Sequence, residues 1–118
     1  MRTRYSEMPA YVTKDGSEIR ELMHPDTQPV RRQSLAEAIV QPGQTTRLHR
    51  HAHAEELYHV TAGSGLMTLG EQRFAVAVGD TVLIAAGTAH CIAATGSGPL
   101  TILCCCSPAY ADADTELL

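Results

Sequence analysis

The sequence predicts a single all-β domain, folded as a sandwich or barrel of short antiparallel strands. The runs between its turn signals are rich in β-branched residues and too short for typical helices, as in residues 66–69, 73–76 and 81–84. From Gly43 onward, turn-forming residues recur about every eight positions, a spacing typical of strands joined by tight turns. These turns are Pro42-Gly43, Gly63-Ser64-Gly65, Gly70-Glu71, Gly79-Asp80, Ala86-Gly87 and Gly96-Ser97-Gly98.

Three segments are less regular. Residues 34–37 have the form of a helix capping box, which favours a helix, but Pro42-Gly43 would end it after about two turns. We therefore predict that residues 34–40 form a strand. Residues 17–23 fit either a strand or a short helical turn, and residues 109–118 are expected to be a loop over the surface.

Length and composition narrow the functional classes. The 118 residues suffice for one domain with one core, and the net charge of −4 with no long basic run argues against nucleic-acid binding. No apolar stretch reaches membrane-spanning length, and no signal-peptide core follows the polar residues 1–4. We expect a cytoplasmic protein without a membrane partner.

Three of the four cysteines are consecutive, Cys104, Cys105 and Cys106, within an apolar run. Adjacent residues of a strand point to opposite faces, so this triplet is neither a disulfide framework nor a zinc motif. We interpret these residues as small buried hydrophobic side chains, with a thiol in a functional cavity as the alternative. Cys91, next to His90, is expected to point away from whatever His90 binds.

The most informative feature is a cluster of histidines and carboxylates. His49, His51 and His53 alternate, so on an extended strand all three would project from one face. Glu55 and Glu56 follow at once. Imidazoles beside a carboxylate form a nitrogen and oxygen site suited to a divalent transition metal.

The spacing around this cluster resembles the first motif of the cupin superfamily. Gly43 is followed by five residues, the sequence His-Arg-His at 49–51, four residues, Glu56, six residues and Gly63. A later block resembles the second motif, with Gly79, Gly87 and His90 at the family positions. It departs from that motif at Ala85 and Ala94, where the family usually has proline and asparagine, respectively. The resemblance covers residues 38–107, approximately.

The resemblance implies a small jelly-roll β-barrel of two facing antiparallel sheets, with a metal inside near one mouth. The implied ligands are His49, His51, Glu56 and His90, with Glu55 as the competing carboxylate. It also implies one divalent transition metal per chain, which the sequence leaves open among iron, manganese, nickel, zinc and copper.

Three further residues are candidates for substrate binding or proton transfer. Arg47 shares the parity of His49, so a regular strand would point it inward to bind a carboxylate or phosphate, unless it pairs internally or lies on the rim. Tyr58 shares the face of Glu56 and is either a hydrogen-bond donor or packing. His53 falls in the loop and is expected at the rim, while His59 should face outward.

The leading hypothesis is a metal-dependent enzyme of the oxygenase or oxidoreductase type that acts on a small organic substrate. A cupin-type isomerase or lyase is an alternative, and a non-catalytic module that binds or senses a small ligand or metal is another. We expect one domain over residues 1–118 with its core at about 38–107. Residues 1–37 are expected to pack or exchange strands at a homodimer interface.

Overall fold

A computed structural model describes residues 1–118, which form eleven β-strands and two 3-10 turns. The turns are Tyr5–Glu7 and Asp112–Asp114. No helix has the length and apolar character needed to cross a bilayer. The strands are β1 (Ala10–Val12), β2 (Glu18–Met23), β3 (Ser34–Val40), β4 (His49–His51), β5 (Glu55–Ala62), β6 (Ser64–Leu69), β7 (Gln72–Ala77), β8 (Thr81–Ile84), β9 (His90–Ala94), β10 (Leu100–Ser107) and β11 (Thr115–Leu117).

The strands form two antiparallel sheets. The first has six strands in the order β1-β2-β3-β10-β5-β8, and the second has five in the order β11-β4-β9-β6-β7. Buried side chains from both sheets meet in one hydrophobic core. The all-β prediction of two antiparallel sheets is therefore confirmed, and the barrel brings distant segments of the chain face to face.

Strict alternation of buried and accessible side chains explains the central strands. In β3, Ser34, Ala36, Ala38 and Val40 are buried, whereas the residues between them are not. This period of two outweighs the local capping box, because the burial of one whole face stabilises a strand more than a single cap stabilises a short helix. The predicted strand over residues 34–40 is confirmed, and the open choice for residues 17–23 resolves to β2.

The interior has a filled part and a hollow part. Val60, Met67 and Leu100 are almost fully buried and fill one part with large side chains. There the chain turns at Gly63, whose φ is +80° and where a Cβ would lie 2.4 Å from the carbonyl oxygen of Pro99. Only glycine fits this turn. The hollow part contains the histidines.

The C-terminal tail is not the predicted surface loop. Residues 115–117 form β11, which pairs with β4 and places Thr115 opposite His51 and Leu117 opposite His49. The prediction was wrong because three residues are too few for a periodic signal. β4 is itself only three residues long, and β11 satisfies backbone groups that would otherwise form an open edge beside the histidines.

Candidate metal centre

Three buried histidines converge in the hollow part of the barrel. His49 and His51 occupy alternate positions of β4, so both side chains project from its inner face. β9 pairs with β4 and places His90 opposite His49 in the ladder. One ring nitrogen of each histidine lies within 4.8 Å of the other two, so this triad could hold one metal ion.

Backbone carbonyls orient two of these rings. The Nδ1 atom of His49 lies 2.8 Å from the carbonyl oxygen of Arg47, and that of His90 lies 2.9 Å from the carbonyl oxygen of Thr88. Because a carbonyl oxygen only accepts, Nδ1–H must be the donor, and Nε2 keeps its lone pair. That is the form in which histidine binds a metal, and the hydrogen bond fixes the ring.

A threonine from the C-terminal strand orients the third ring. The Thr115 hydroxyl donates to the carbonyl oxygen of Ala111 at 3.0 Å. Its oxygen therefore accepts from Nδ1–H of His51, also at 3.0 Å. Nε2 of His51 is left with its lone pair facing the triad, as in the other two histidines.

Glu56 brings a carboxylate to the triad. Its Oε1 atom lies 3.3 Å from Nε2 of His51 and 3.6 Å from Nε2 of His90. Its Oε2 atom accepts a hydrogen bond from the Cys106 thiol, with a sulfur–oxygen distance of 3.1 Å. The neighbouring Glu55 is exposed and points away, so of the two carboxylates only Glu56 lies beside the histidines.

Lone pairs face one another in this site with no donor between them. Oε1 of Glu56 and Nε2 of His90 are buried, and neither has a hydrogen-bond partner. Buried acceptors without partners destabilise a fold unless a cation or a hydrogen-bond donor such as water lies between them. The donor set, three imidazole nitrogens and one carboxylate oxygen, is one that a divalent transition metal fits.

The ionisation states are those that metal binding requires. Burial lowers the pKa of His49, and the nearby His90 lowers it further, so its neutral form predominates near neutral pH. Burial alone would raise the pKa of Glu56. The imidazoles of His51 and His90, which donate to the carboxylate when Nε2 carries a proton, and the Cys106 thiol outweigh burial and lower that pKa to about 2. A metal therefore meets little competition from protons at these two groups.

A cavity opens in front of the triad because the facing strands carry small side chains. Ala36 pairs with Cys104, and Ala38 pairs with Ile102 across β3 and β10. These residues line the cavity together with other apolar side chains. Its volume is about 40 Å³, measured as space for the centres of water-sized spheres. That is room for about three waters or one small organic molecule.

Two of the cysteines and Tyr58 form part of the cavity wall. Cys104 and Cys106 are buried, as the first interpretation of the cysteine run predicted, and they also line the cavity, as the alternative required. Cys91 and Cys105 are only partly buried. Tyr58 is buried in the cavity wall with its ring 6.0 Å from that of His90. Burial raises the pKa of Tyr58, so its hydroxyl is neutral and able to donate.

The structure does not bring Arg47 to the site. Its side chain is exposed and absent from the cavity lining, because residues 46–48 precede the regular part of β4 and strand alternation does not hold there. The buried neighbour is Thr46 instead. Arg47 contributes only its backbone, which accepts from His49 and donates to the carbonyl oxygen of Asp15 at 2.7 Å.

His53 also lies outside the cavity. Its side chain is 83% exposed, and its Nδ1 atom lies 2.7 Å from Oδ1 of Asp114. Asp114 also accepts from the backbone N–H groups of His53 and Ala54. His53 thus belongs to the hydrogen bonds that connect the β4–β5 loop to Asp114. His59 is half-buried on the outer face, the side that was predicted, and contacts the Thr81 hydroxyl at 2.8 Å.

Three residues near the triad were not identified from the sequence. Asp15 lies 3.8 Å from His49, Thr115 contacts His51, and the ring of Tyr110 lies 5.9 Å from that of His51. All three come from segments outside the two motifs. Asp15 precedes Gly16, a pair that indicates only a turn, and no periodic pattern in the sequence connects these positions to the histidines.

The fold and site define a class of protein, a double-sheet β-barrel with an interior histidine cluster. Residues 36–106 match the family model described as a cupin domain. The chain therefore belongs to the cupin family, as its two motifs indicated. Over 118 residues it is 49% identical to an uncharacterized protein of Methanocaldococcus jannaschii, and the match covers 100% of this chain and 94% of that protein.

Solved structures with the same fold have diverse activities. The Streptomyces nucleoside dehydratase Pac13 is 14% identical with a TM-score of 0.82, covering 100% of this chain and 90% of that one. A predicted oxalate decarboxylase from Thermotoga maritima is 23% identical with a TM-score of 0.79, covering 92% and 99%, respectively. At these identities the similarity demonstrates a shared fold, and the activity must be argued from the site.

Proposed function

We propose that this cupin is a metal-dependent enzyme of the oxygenase or oxidoreductase type that acts on a small organic substrate inside the barrel. The observation that supports it best is the set of facing acceptor atoms, with Oε1 of Glu56 and Nε2 of His90 buried without partners. His49, His51, Glu56 and His90 would hold one divalent transition metal, such as iron, manganese, nickel, zinc or copper. Bound there, such a metal would polarise an oxygen-bearing substrate or supply redox chemistry with dioxygen.

The chain's own residues support this chemistry in three ways. Apolar side chains make up half of the cavity lining, and the low polarity of that part strengthens electrostatic interactions at the site. The neutral Tyr58 hydroxyl is a candidate hydrogen-bond donor to the substrate. The Cys106 thiol holds one oxygen of Glu56, so that the other stays directed at the histidines.

Oxygen consumption by the iron-loaded protein tests the proposal directly. The protein is loaded with Fe²⁺ without oxygen and then mixed with small phenols, thiols and diketones in an oxygen-electrode cell. We expect at least one compound to be consumed together with oxygen by the wild type and by the His59→Ala control, but not by His90→Ala. Conversion of a substrate without oxygen would indicate an isomerase or lyase instead. Saturable binding without conversion would indicate a ligand-binding module.

We also propose that the protein is a homodimer that uses the six-stranded sheet. β1, from the N-terminal segment, forms an open edge of this sheet. On the outer face, Leu35, Cys105, Leu57 and Leu83 lie in one row across four strands, and the three leucines are 39%, 43% and 58% exposed. Apolar rows of this kind are typical of interaction surfaces. Light scattering should give a dimer that Leu57→Lys dissociates, and a wild-type monomer would contradict the proposal.

A cytoplasmic location is part of the same proposal. All four cysteines are free, and Cys106 donates its thiol hydrogen to a proposed ligand. Such a contact requires a reduced thiol, which the cytoplasm maintains. Cell fractionation with antibody detection should find the protein in the soluble cytoplasmic fraction, and recovery from an oxidising compartment would contradict this assignment.

A further inference from the structure

Asp15 brings a second carboxylate to the cavity, from a segment that precedes the family match. It lies in the hairpin loop between β1 and β2, and its side chain is only 13% exposed. Its Oδ2 atom lies 3.8 Å from Nε2 of His49. That distance is too long for a hydrogen bond but close enough for a strong electrostatic interaction with an ion or ligand at the triad.

The hairpin loop holds this carboxylate in one orientation. Oδ1 of Asp15 accepts from the Thr13 hydroxyl at 2.7 Å, from the Ser17 hydroxyl at 2.6 Å and from the Ser17 backbone N–H at 2.9 Å. The carbonyl oxygen of Asp15 accepts from the backbone N–H of Arg47, which connects the loop to the segment that enters β4. Oδ1 is fully used by the turn, so Oδ2 is the atom presented to the site.

The charges of the cavity favour some ligands over others. Its lining includes Asp15, Glu21 and Glu56 but no lysine or arginine. Burial raises the pKa of Glu21, which favours the neutral form of its carboxyl group. A divalent ion held by three neutral imidazoles and Glu56 would carry a net charge of +1. Asp15 cancels that charge, and an entering anion would find no net attraction.

We propose that Asp15 determines the substrate class of this metal centre, selecting small neutral molecules with O–H or N–H donors and disfavouring carboxylate anions. The proposal rests on the proposed metal site. An alcohol, phenol or hydroxamate bound at the metal position can donate a hydrogen bond to Oδ2. A carboxylate there has no hydrogen to donate and is repelled.

Two small probes, one anionic and one neutral in solution, test this proposal. Acetate is an anion near neutral pH, whereas acetohydroxamic acid is neutral in solution and releases its O–H proton when it binds a metal. Oδ2 of Asp15 can accept that proton, which acetate does not supply. Their binding to the cobalt-loaded protein is followed by the visible absorption of Co²⁺. Asp15→Asn removes the negative charge and keeps an oxygen to accept the three hydrogen bonds of the turn. We expect this variant to bind acetate about tenfold more tightly and acetohydroxamic acid several-fold more weakly than the wild type.

Two further variants make the experiment decisive. Asp26→Asn makes the same change in net charge at a side chain that is 88% exposed, and should leave both affinities unchanged. Glu21→Gln removes the other wall carboxylate without touching the turn and should tighten acetate binding by a smaller factor. Acetate binding that is equal in the wild type, Asp15→Asn and Glu21→Gln would overturn the proposal. Absence of cobalt absorption in the wild type would instead refute the metal site itself.

Discussion

The family-matched segment, residues 36–106, and the two segments that flank it build the same site in different ways. The matched segment supplies the three histidine nitrogens that could hold a metal, on His49, His51 and His90, and the Glu56 carboxylate beside two of them. The flanking segments supply groups that orient or surround these atoms, such as Thr115 and Asp15. The difference teaches that a sequence motif identifies donor atoms, while the charge and rigidity of the site depend on residues that no motif contains.

The largest effect should come from removing a donor atom. His90→Ala should abolish metal binding, because the triad loses one of its three nitrogens and no other histidine lies in the cavity. Elemental analysis of protein purified without chelators or affinity-tag metals measures this. We expect about one equivalent of metal in the wild type and none in the variant.

His59→Ala is the matched control, since it removes a histidine of the matched segment that faces outward. It should keep the full equivalent of metal. Equal metal content in His90→Ala and the wild type would eliminate His90 as a ligand and with it the proposed site.

A smaller effect should come from the flanking strand β11. Thr115→Val keeps the strand but removes the hydroxyl that accepts from His51, and the loss of such a partner lowers metal affinity by about 10–100-fold. Competition with a chromophoric chelator measures the affinity. The matched control is Thr81→Val, because the Thr81 hydroxyl contacts Nδ1 of the outward-facing His59 in the way that Thr115 contacts His51. Thr81→Val should leave the affinity unchanged, and equal losses in both variants would indicate general destabilisation.

The folding stability of the metal-free protein should depend on pH through two residues of the matched segment, His49 and Glu56. The folded state lowers the pKa of His49 below 6.5, so the unfolded chain takes up this proton first as the pH falls. Stability is therefore fully present above pH 6.5 and declines below it, with a slope of at most about 1.4 kcal/mol per pH unit. Glu56 extends the decline below pH 4.5, because its folded pKa is about 2.

Urea unfolding between pH 7.5 and pH 5 measures this slope. His49→Gln removes the group and should give a shallower decline than the wild type over the same range. An unchanged slope in the variant would assign the acid sensitivity to other groups.

The smallest effect should come from His53, the exposed residue beside Asp114. His53→Ala removes one hydrogen bond at the surface, so metal content should stay the same and the free energy of unfolding should change by about 0.5 kcal/mol or less. Urea unfolding and elemental analysis measure both quantities. Loss of metal in this variant would show that the β4–β5 loop, or His53 itself, contributes more than its exposed position indicates.

Much of this molecule could be predicted from its sequence, and the exceptions have a physical reason. The short apolar runs and the turn spacing indicated the strands, and the two motifs indicated the histidines that the fold brings together. The role of residues 109–118 was missed because β11 is too short to show a period. The orientation of Arg47 was missed because residues 46–48 are not regular strand. Asp15 and Thr115 reach the site only through tertiary pairing, which local patterns do not record.

X-ray absorption spectroscopy of the metal-loaded protein tests the central claim most directly. With zinc, the account predicts a shell of nitrogen and oxygen atoms at about 2.0–2.1 Å, with outer-shell scattering from three imidazole rings and no sulfur. A sulfur atom at about 2.3 Å would assign the metal to Cys104 or Cys106 instead. A shell without imidazole scattering would contradict the histidine centre altogether.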